Sequence, residues 1–300
     1  MKRIVVDWGS SNFRAYRFAP DGGISERHHA EAGILTVRDG AFEDTLEREI
    51  GSWIDHDTEV LLSGMITSRN GWVETPYLEP PATLAGLAAK AIERSARNGA
   101  RLLFLPGVCN RDPQPDVMRG EEIQVFGSIA PDESALIVLP GTHSKWVSVN
   151  RGAIARFSTF LTGEMFALLK QHSIIGRLIP QGQTGEQHTA FRGGVASGFS
   201  GRPAGLLNDV FTARAGALLG FFPPEDIAER LSGLLIGHEI RAGLASAAQA
   251  GLVPRLVGEA SLVSRYRDAF AELNLPCEIG PEHAAVEGFR RLGLLEGAKI

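Results

Sequence analysis

The chain has 300 residues, of which 44% are hydrophobic and 22% are charged, proportions that are ordinary for a soluble protein with two domains. Its net charge of -5 argues against nucleic acid or an anionic membrane as a partner, because both require a basic face. No apolar run approaches the ~20 residues that a membrane helix needs. Because Cys109 and Cys277 lie far apart, we expect a reduced, cytoplasmic protein without a structural disulfide.

The first eighteen residues predict a strand, a loop of small residues and a second strand. Residues 4–6 form an apolar β-branched run that is typical of a buried strand, and the run ends in Asp7. A turn of small polar residues follows: Gly9, Ser10, Ser11 and Asn12. The hydroxyl and N–H groups of this turn suit phosphate oxygens. Asp7 suits a hydrated Mg²⁺, which prefers few carboxylates and several waters. The alternative is a plain hairpin in which Asp7 caps a turn.

The same order of elements recurs in the middle of the chain. Residues 136–139 predict a second buried strand, followed by a loop that contains Gly141, Thr142 and Lys145, and then by two more strands. A repeat of a whole supersecondary unit implies two related halves. Two such loops facing each other would clamp a nucleoside triphosphate, and Lys145 would add a point charge. This layout resembles the actin-like ATPase and sugar-kinase superfamily.

The predicted fold class is therefore α/β, with a two-domain actin-like (ribonuclease H-like) ATPase fold and a cleft between the domains. We place the N-terminal domain at residues 1–131 and the C-terminal domain at 132–300. Helices are predicted at 41–53, 83–97, 206–219, from 223 to about 244, at 262–273 and at 284–295, and one begins at Thr162. Residues 173–187 are predicted to be rich in loops.

A polar, glycine-bearing stretch at residues 63–72 follows a short predicted strand in the first half. Ser68, Arg69 and Asn70 offer hydrogen bonds, and Trp72 offers an aromatic wall. The stretch is interpreted either as a recognition loop for a small molecule or as an ordinary surface loop.

Two adjacent carboxylates, Glu121 and Glu122, follow Gly120 in the first turn of a predicted helix. The helix dipole alone favours acidic residues there. A carboxylate at this place is also able to accept a proton from a substrate hydroxyl. Neighbouring carboxylates would raise the pKa of one of the two. Asp116 is a competing candidate for the same role.

A strand at residues 255–257 is followed by a turn that contains Gly258 and Ser261, and then by a helix. Such a unit is able to hold an adenine or ribose at the N-terminus of the helix, although an ordinary α/β crossover has the same pattern. Motifs of rival chemistry are missing, because the sequence contains no GxxxxGK[ST] loop, no GxSxG elbow and no HExxH.

The whole set of motifs resembles the 2-dehydro-3-deoxygalactonokinase family, which are sugar-acid kinases of the actin-like fold. The motifs that carry the resemblance run through nearly the whole chain: residues 6–12 (VDWGSSN), Gly64-Met65, Gly71-Trp72, residues 76–78 (PYL), 118–122 (MRGEE), 140–146 (PGTHSKW), 162–164 (TGE), 232–237 (SGLLIG) and Gly258. The first motif and the PGTH motif are specific, whereas a single glycine is not.

The resemblance implies ATP and Mg²⁺ as cofactors, and transfer of the γ-phosphoryl group to the 6-hydroxyl of 2-dehydro-3-deoxy-D-galactonate. It implies Glu121 as the base and Asp7 as the residue that holds the metal. The loops 9–12 and 141–145 would bind phosphates, and Gly258 and Ser261 the adenosine. The carboxylate of a sugar acid suits an arginine fork, and Arg69 and Arg119 are the two candidates for it. Met65, Ser68 and Trp72 are the other residues expected to contact the sugar acid. Related kinases have Asp where this chain has Glu121, and often Gly where it has Glu259.

Two other functions remain open at the level of sequence. One is an ATP-binding sensor module of the same fold, which would not need the polar stretch at 63–72. The other is a kinase of the same fold for a different sugar acid or a neutral sugar, which would not need arginines near the acceptor. The expected partners are small molecules, with no nucleic acid and no membrane, and a homodimer is left open.

Overall fold

The computed structural model describes residues 2–180, 188–247 and 251–297, with side chains up to residue 293. The chain folds into two compact units. The first comprises the described parts of Met1–Ser134, Val149–Arg156 and His283–Ile300, and the second those of Ala135–Ser148 and Phe157–Glu282. The sequence predicted a single boundary at residue 131, whereas the first segment of the first unit ends at Ser134. Residues 149–156 and the C-terminal helix also belong to the first unit.

The described residues form thirteen strands and nine α-helices. The strands are β1 (Lys2–Trp8), β2 (Phe13–Phe18), β3 (Ile24–Ala30), β4 (Thr58–Ser63), β5 (Ile92–Ser95), β6 (Arg101–Phe104), β7 (Val108–Asn110), β8 (Asp116–Met118), β9 (Ala135–Leu139), β10 (Ser144–Asn150), β11 (Ala153–Phe160), β12 (Pro254–Leu256) and β13 (Glu278–Ile279). The helices are α1 (Phe42–Ile50), α2 (Leu84–Ala89), α3 (Glu121–Ser128), α4 (Thr162–His172), α5 (His188–Ser200), α6 (Leu206–Leu218), α7 (Ile227–Ser246), α8 (Ala260–Glu272) and α9 (Ala284–Gly297).

The first unit is built on a six-stranded sheet in the order β3-β2-β1-β4-β6-β5. Strands β1, β4 and β6 are parallel, and antiparallel strands flank them. Residues Ile4, Val5 and Val6 are fully buried, which is why this run is apolar on both faces of the sheet. Since β1 lies inside the sheet, the residue at its carboxyl end, Asp7, is held on a rigid strand.

A five-stranded sheet in the order β11-β10-β9-β12-β13 belongs mainly to the second unit, although residues 149–156 of β10 and β11 are part of the first. Strand β12 is parallel to both β9 and β13. The loop after β9 and the turn after β12 therefore leave the sheet at the same edge. In parallel α/β sheets this edge is where ligands bind.

Helices α5 and α7 of the second unit pack closely through glycines. A Cβ on Gly194 or Gly198 of α5 would lie 2.3 or 2.1 Å from a carbonyl oxygen of α7, and Gly233 and Gly237 stand equally close to α5. Glycine lowers helix propensity by about 1 kcal/mol per residue, so α5 was not predicted. Packing of the backbones outweighs that cost. Of the loop-rich stretch predicted at 173–187, residues 181–187 lie outside the described part of the chain.

Two helices in the structure differ from their predictions, one in its length and the other in the exposure of its apolar residues. The helix predicted at 83–97 ends at Ala89, and Ile92–Ser95 instead forms β5, because pairing with β6 extends the sheet. The helix predicted at 206–219 is α6, but its apolar residues Leu207, Phe211 and Leu218 are exposed. Within the described residues, no helix combines the length and the hydropathy that crossing a membrane requires.

Candidate active site

Asp7 lies at the carboxyl end of β1, in register with Ser63 of β4 and Arg14 of β2. Its side chain is 26% exposed, and Arg14 Nη1 lies 3.4 Å from its Oδ2. Burial raises the pKa of the Asp7 carboxyl, and the charge of Arg14 acts in the opposite direction. The protein thus holds a carboxylate where its charge is poorly solvated and where a bound cation would stabilise it.

Two glycines bring three chain segments together around Asp7. Gly64 and Gly120 have φ angles of +93° and +109°, which side chains other than glycine rarely adopt. A Cβ on Gly64 would lie 2.9 Å from Trp8 O and 3.2 Å from Asp7 Oδ1, and one on Gly120 would lie 3.2 Å from Gly64 Cα. The ends of β1 and β4 and the start of α3 therefore meet, which the sequence could not show.

The two carboxylates at the start of α3 have different environments. Glu121 is half-buried, and its Oε2 accepts a hydrogen bond of 2.9 Å from the N–H of Arg119. Glu122 is fully buried, and its two oxygens accept from the N–H of Gly120 at 2.9 and 2.8 Å. Burial, and then the charge of Glu121, raise the pKa of Glu122 to about 8. The shift expected for one of the pair thus falls on Glu122, with burial as the larger cause.

Asp116, the competing candidate, is the first residue of β8. Its Oδ1 accepts a hydrogen bond of 2.7 Å from the N–H of Val117.

Replacing Glu122 with glutamine is expected to remove a pH dependence of stability. The folded carboxyl has a pKa of about 8, against 4.5 in its ordinary environment, because burial disfavours its charge. Between these values the folded state holds a proton that the unfolded state has lost. The free energy of unfolding of the wild type therefore falls as pH rises, by at most about 1.4 kcal/mol per pH unit.

The measurement is the melting temperature at about pH 5 and about pH 9. The wild type should lose more stability than Glu122→Gln over this range. Glu93→Gln, which changes an exposed carboxylate on β5, should follow the wild type. Parallel curves for the wild type and Glu122→Gln would contradict the prediction.

The predicted recognition loop begins with a short 3₁₀ helix at Met65–Thr67. Ser68 Oγ donates to Met65 O at 2.7 Å, and Arg69 is exposed. Trp72 is partly buried and packs edge-on against Phe104, with ring centroids 5.3 Å apart. The loop is therefore anchored on the core of the first unit and presents Arg69 to solvent.

Arg119 joins this loop to the start of α3. Its Nη1 donates to the carbonyl and hydroxyl oxygens of Thr67 and to the hydroxyl of Thr75, at 2.6 to 2.7 Å. The guanidinium also lies 4.3 Å from the centre of the Tyr77 ring. These contacts hold the loop and the helix start in a fixed arrangement.

The first predicted phosphate loop is a tight turn between β1 and β2. Gly9 N donates to Asn12 O at 2.9 Å. The carbonyl oxygens of Gly9, Ser10 and Ser11 accept hydrogen bonds from the N–H groups of residues 33–35. The loop therefore turns its carbonyl oxygens toward its own unit, as a loop that offers hydroxyl and N–H groups to an anion should.

The second predicted phosphate loop follows β9 and is supported by the start of α4. Gly163 lies against it, since a Cβ there would be 2.5 Å from Gly141 O, and Glu164 N donates to Thr142 O at 3.0 Å. Lys145 is 4% exposed, and its Nζ donates to Thr159 Oγ1 at 3.0 Å.

The predicted adenosine turn lies beside this loop in the second unit. Gly258 has a φ of +143°, and a Cβ on it would lie 3.7 Å from Pro140 O. Glu259, where related kinases often have glycine, is the N-cap of α8: its side chain accepts from the N–H groups of Ser261 and Leu262. Ser261 also donates its hydroxyl to Glu259. The departure at Glu259 thus has a structural reason.

A cavity of about 280 Å³ opens next to the second phosphate loop. Its walls come from Gly141 and from one side each of α4, α7 and α8. Arg265 forms part of this wall: it donates to Glu229 and Ser232 at 2.9 Å and stacks over Phe191 at 4.2 Å. Arg265 has no recognisable signal in the sequence, because these partners lie more than thirty residues away along the chain.

The fold and these loops define the class of protein: the chain has the actin-like ATPase and sugar-kinase fold. An activator of 2-hydroxyisocaproyl-CoA dehydratase from Clostridium difficile, solved with bound ADPNP, shares that fold with a TM-score of 0.50 at 12% identity, covering 100% of this chain and 96% of the other. The family model described as 2-keto-3-deoxy-galactonokinase matches residues 7–292, and the chain belongs to this family.

Individual relatives agree with the family. The 2-dehydro-3-deoxygalactonokinase of Escherichia coli (strain K12) is 35% identical over 277 residues, which cover 92% of this chain and 91% of the relative. The crystal structure of a candidate 2-dehydro-3-deoxygalactonokinase from Sinorhizobium meliloti has a TM-score of 0.87 at 31% identity, covering 99% of this chain and 100% of that one.

Proposed function

We propose that this chain transfers the γ-phosphoryl group of ATP to the 6-hydroxyl of 2-dehydro-3-deoxy-D-galactonate, giving ADP and the 6-phosphate ester. The observation that carries the proposal is the convergence of Asp7, Gly64 and the start of α3 in a member of this kinase family. Phosphoryl transfer depends mainly on positioning and on neutralising charge, and this arrangement offers both. We also propose a cytoplasmic location for the reaction.

In this proposal Asp7 holds Mg²⁺. The chemistry of the site fits the ion, because Mg²⁺ is commonly bound through one or two carboxylates and substrate phosphates, and Asp7 is a partly exposed carboxylate beside Gly64 and Gly120. Among the described residues, no three His, Cys, Asp or Glu side chains come together as a metal cage. When bound, the ion neutralises charge on the phosphate oxygens.

Glu121 is proposed as the base that orients the 6-hydroxyl and accepts its proton. Its half-exposed carboxylate follows Gly120 directly, and a Cβ on that glycine would lie 3.8 Å from Asp7 Oδ1. Glu122 suits the role less, because burial raises its pKa to about 8 and both its oxygens face the N–H of Gly120. Neutral Glu122 instead fixes the start of α3 without adding a second negative charge.

The second unit is proposed to bind the nucleotide. The loop 141–145 donates to phosphate oxygens, and the adenosine lies in the adjoining cavity, which α4, α7 and α8 line. Gly258 lies beside Pro140 at the start of this loop, and Ser261 is proposed to contact the ribose at the start of α8. The cavity combines apolar walls with polar side chains such as Ser232 and Arg265, and a site for a flat aromatic base needs both.

Arg69 is proposed to bind the carboxylate of the sugar acid, with Met65, Ser68 and Trp72 shaping the site. Arg69 is exposed, whereas the guanidinium of Arg119 already donates to Thr67 and Thr75. Arg119 would then act by holding the loop.

Replacing Arg69 with glutamine should raise the KM for the sugar acid by roughly 10- to 100-fold, the usual worth of a charge-assisted hydrogen bond. Steady-state kinetics with ATP in excess measure this, and the KM for ATP should not change. Arg94→Gln, on the edge strand β5 of the same unit, is the matched control. An unchanged KM in Arg69→Gln would leave Arg119 as the carboxylate ligand.

The function itself is tested by measuring ATP consumption across a panel of sugar acids and the matching neutral sugars. We expect turnover with 2-dehydro-3-deoxy-D-galactonate and almost none with neutral sugars. Turnover only with a neutral sugar would replace the proposed substrate, and ATP binding without any turnover would indicate a sensor module.

A further inference from the structure

A buried carboxylate that the proposed mechanism does not use lies beneath the second phosphate loop. Glu239, on α7, is 2% exposed. Trp146 Nε1 donates to its Oε1 at 2.9 Å, and the hydroxyl of Tyr266 donates to its Oε2 at 2.5 Å. The hydroxyls of Ser144 and Thr162 lie next to this carboxylate. Four side chains from three other elements thus surround one buried carboxylate.

The direction of the hydrogen bonds connects Glu239 to the loop. Tyr266 has a single hydroxyl proton, which it gives to Glu239. Ser144 Oγ lies 3.1 Å from the Tyr266 oxygen, so Ser144 is the donor in that contact. The Ser144 oxygen is then free to accept a hydrogen bond from Gly141 N, at 3.4 Å. A series of hydrogen bonds, the chain of donors, therefore connects the loop backbone through Ser144 and Tyr266 to Glu239.

Thr162 provides a second connection. It is the first residue of α4, whose next two residues, Gly163 and Glu164, support Gly141 and Thr142. Thr162, Gly163, Gly141 and Tyr266 also line the cavity next to the loop. Glu239 therefore acts on both the loop itself and the helix start that supports it.

We propose that Glu239 is a positioning residue for ATP: it fixes the hydroxyls of Ser144 and Thr162 and thereby holds the backbone of residues 141–144 in the conformation that binds phosphate. This inference rests on the proposed nucleotide site in the second unit. An isosteric glutamine presents an NH₂ group to one of the donors, which leaves a buried donor unpaired. The loop then samples several conformations, and phosphate binding has to select one of them, which weakens the affinity for ATP.

Asp209, a buried carboxylate on α6, offers a matched control. It is also 2% exposed, and it accepts a hydrogen bond of 2.9 Å from Nε2 of His238, the residue before Glu239 on α7. This pair joins α6 to α7 and has no place in the chain of donors to Gly141. Asp209→Asn should therefore lower stability in the same way as Glu239→Gln without altering the loop.

The experiment measures the Kd of a non-hydrolysable ATP analogue by titration calorimetry for the wild type, Glu239→Gln, Tyr266→Phe and Asp209→Asn, together with both KM values. We expect the Kd and the KM for ATP to rise about 10-fold in Glu239→Gln. Tyr266→Phe, which removes the hydroxyl that joins Ser144 to Glu239, should change them in the same direction. The KM for the sugar acid should stay constant, and Asp209→Asn should bind the analogue like the wild type.

Wild-type affinity in Glu239→Gln would overturn the inference, and so would an equal loss in Glu239→Gln and Asp209→Asn, which would indicate a structural role only. If Glu239→Gln did not fold, wild-type affinity in Tyr266→Phe would overturn the inference instead. A wild-type protein that binds no ATP analogue would remove the proposed function, and the inference with it, whereas the other outcomes leave that function intact.

Discussion

Asp7→Asn is expected to lower kcat by on the order of 10³ while the protein remains folded. An amide carries no charge and holds Mg²⁺ poorly, so the phosphate charge would be left without its counter-ion during transfer. The fold should tolerate the change, since burial raises the pKa of the Asp7 carboxyl and so disfavours its ionised form. The melting temperature of Asp7→Asn near pH 7 should be equal to or above that of the wild type.

The measurement is kcat at saturating ATP, sugar acid and Mg²⁺, with melting temperature as the check on folding. Asp55→Asn is the matched control, because Asp55 pairs with Lys2 at the opposite end of β1. It should lose stability and keep its turnover. Near-wild-type kcat in Asp7→Asn at saturating Mg²⁺ would remove Asp7 from the mechanism.

Glu121→Gln is expected to lower kcat by about 10² to 10⁴, which is the usual contribution of a general base. Glutamine keeps an oxygen that accepts the hydrogen bond from the N–H of Arg119, so the helix start should be preserved. Only the ability to take a proton is lost, and the KM values should change little.

Two neighbours serve as controls for Glu121. Glu122→Gln and Asp116→Asn should each lower kcat far less, because the Glu122 carboxyl is fully buried and Asp116 accepts from the N–H of its neighbour, Val117. A larger loss in either variant than in Glu121→Gln would transfer the role of base to that residue.

The sequence determined the fold class, since residues 4–6 and 136–139 are apolar on both faces and occupy interior strands β1 and β9. It also placed small-residue loops directly after these strands. Both conclusions follow from local patterns: an interior strand must be apolar throughout, and a loop that approaches a ligand needs small residues.

Local sequence patterns do not predict the elements that depend on packing between distant segments of the chain. Helix α5 is rich in glycine and has no helical signal of its own, and only its close contact with α7 explains it. Strand β5 was predicted as part of a helix because its pairing with β6 cannot be read from its own residues. The return of the C-terminal helix to the first unit depends likewise on contacts with α3, far away in sequence.

At the site, the sequence indicated which residue types are present, and the tertiary structure decided how exposed each side chain is and which way its pKa shifts. Adjacent Glu121 and Glu122 look alike in the sequence, but the structure leaves one half-exposed and buries the other, whose pKa burial raises to about 8. Glu239 carries no signal at all, because the indole and hydroxyl groups that it accepts from belong to β10 and α8. Charge and pKa depend on solvent exclusion and on neighbours in space, and these exist only once the chain has folded.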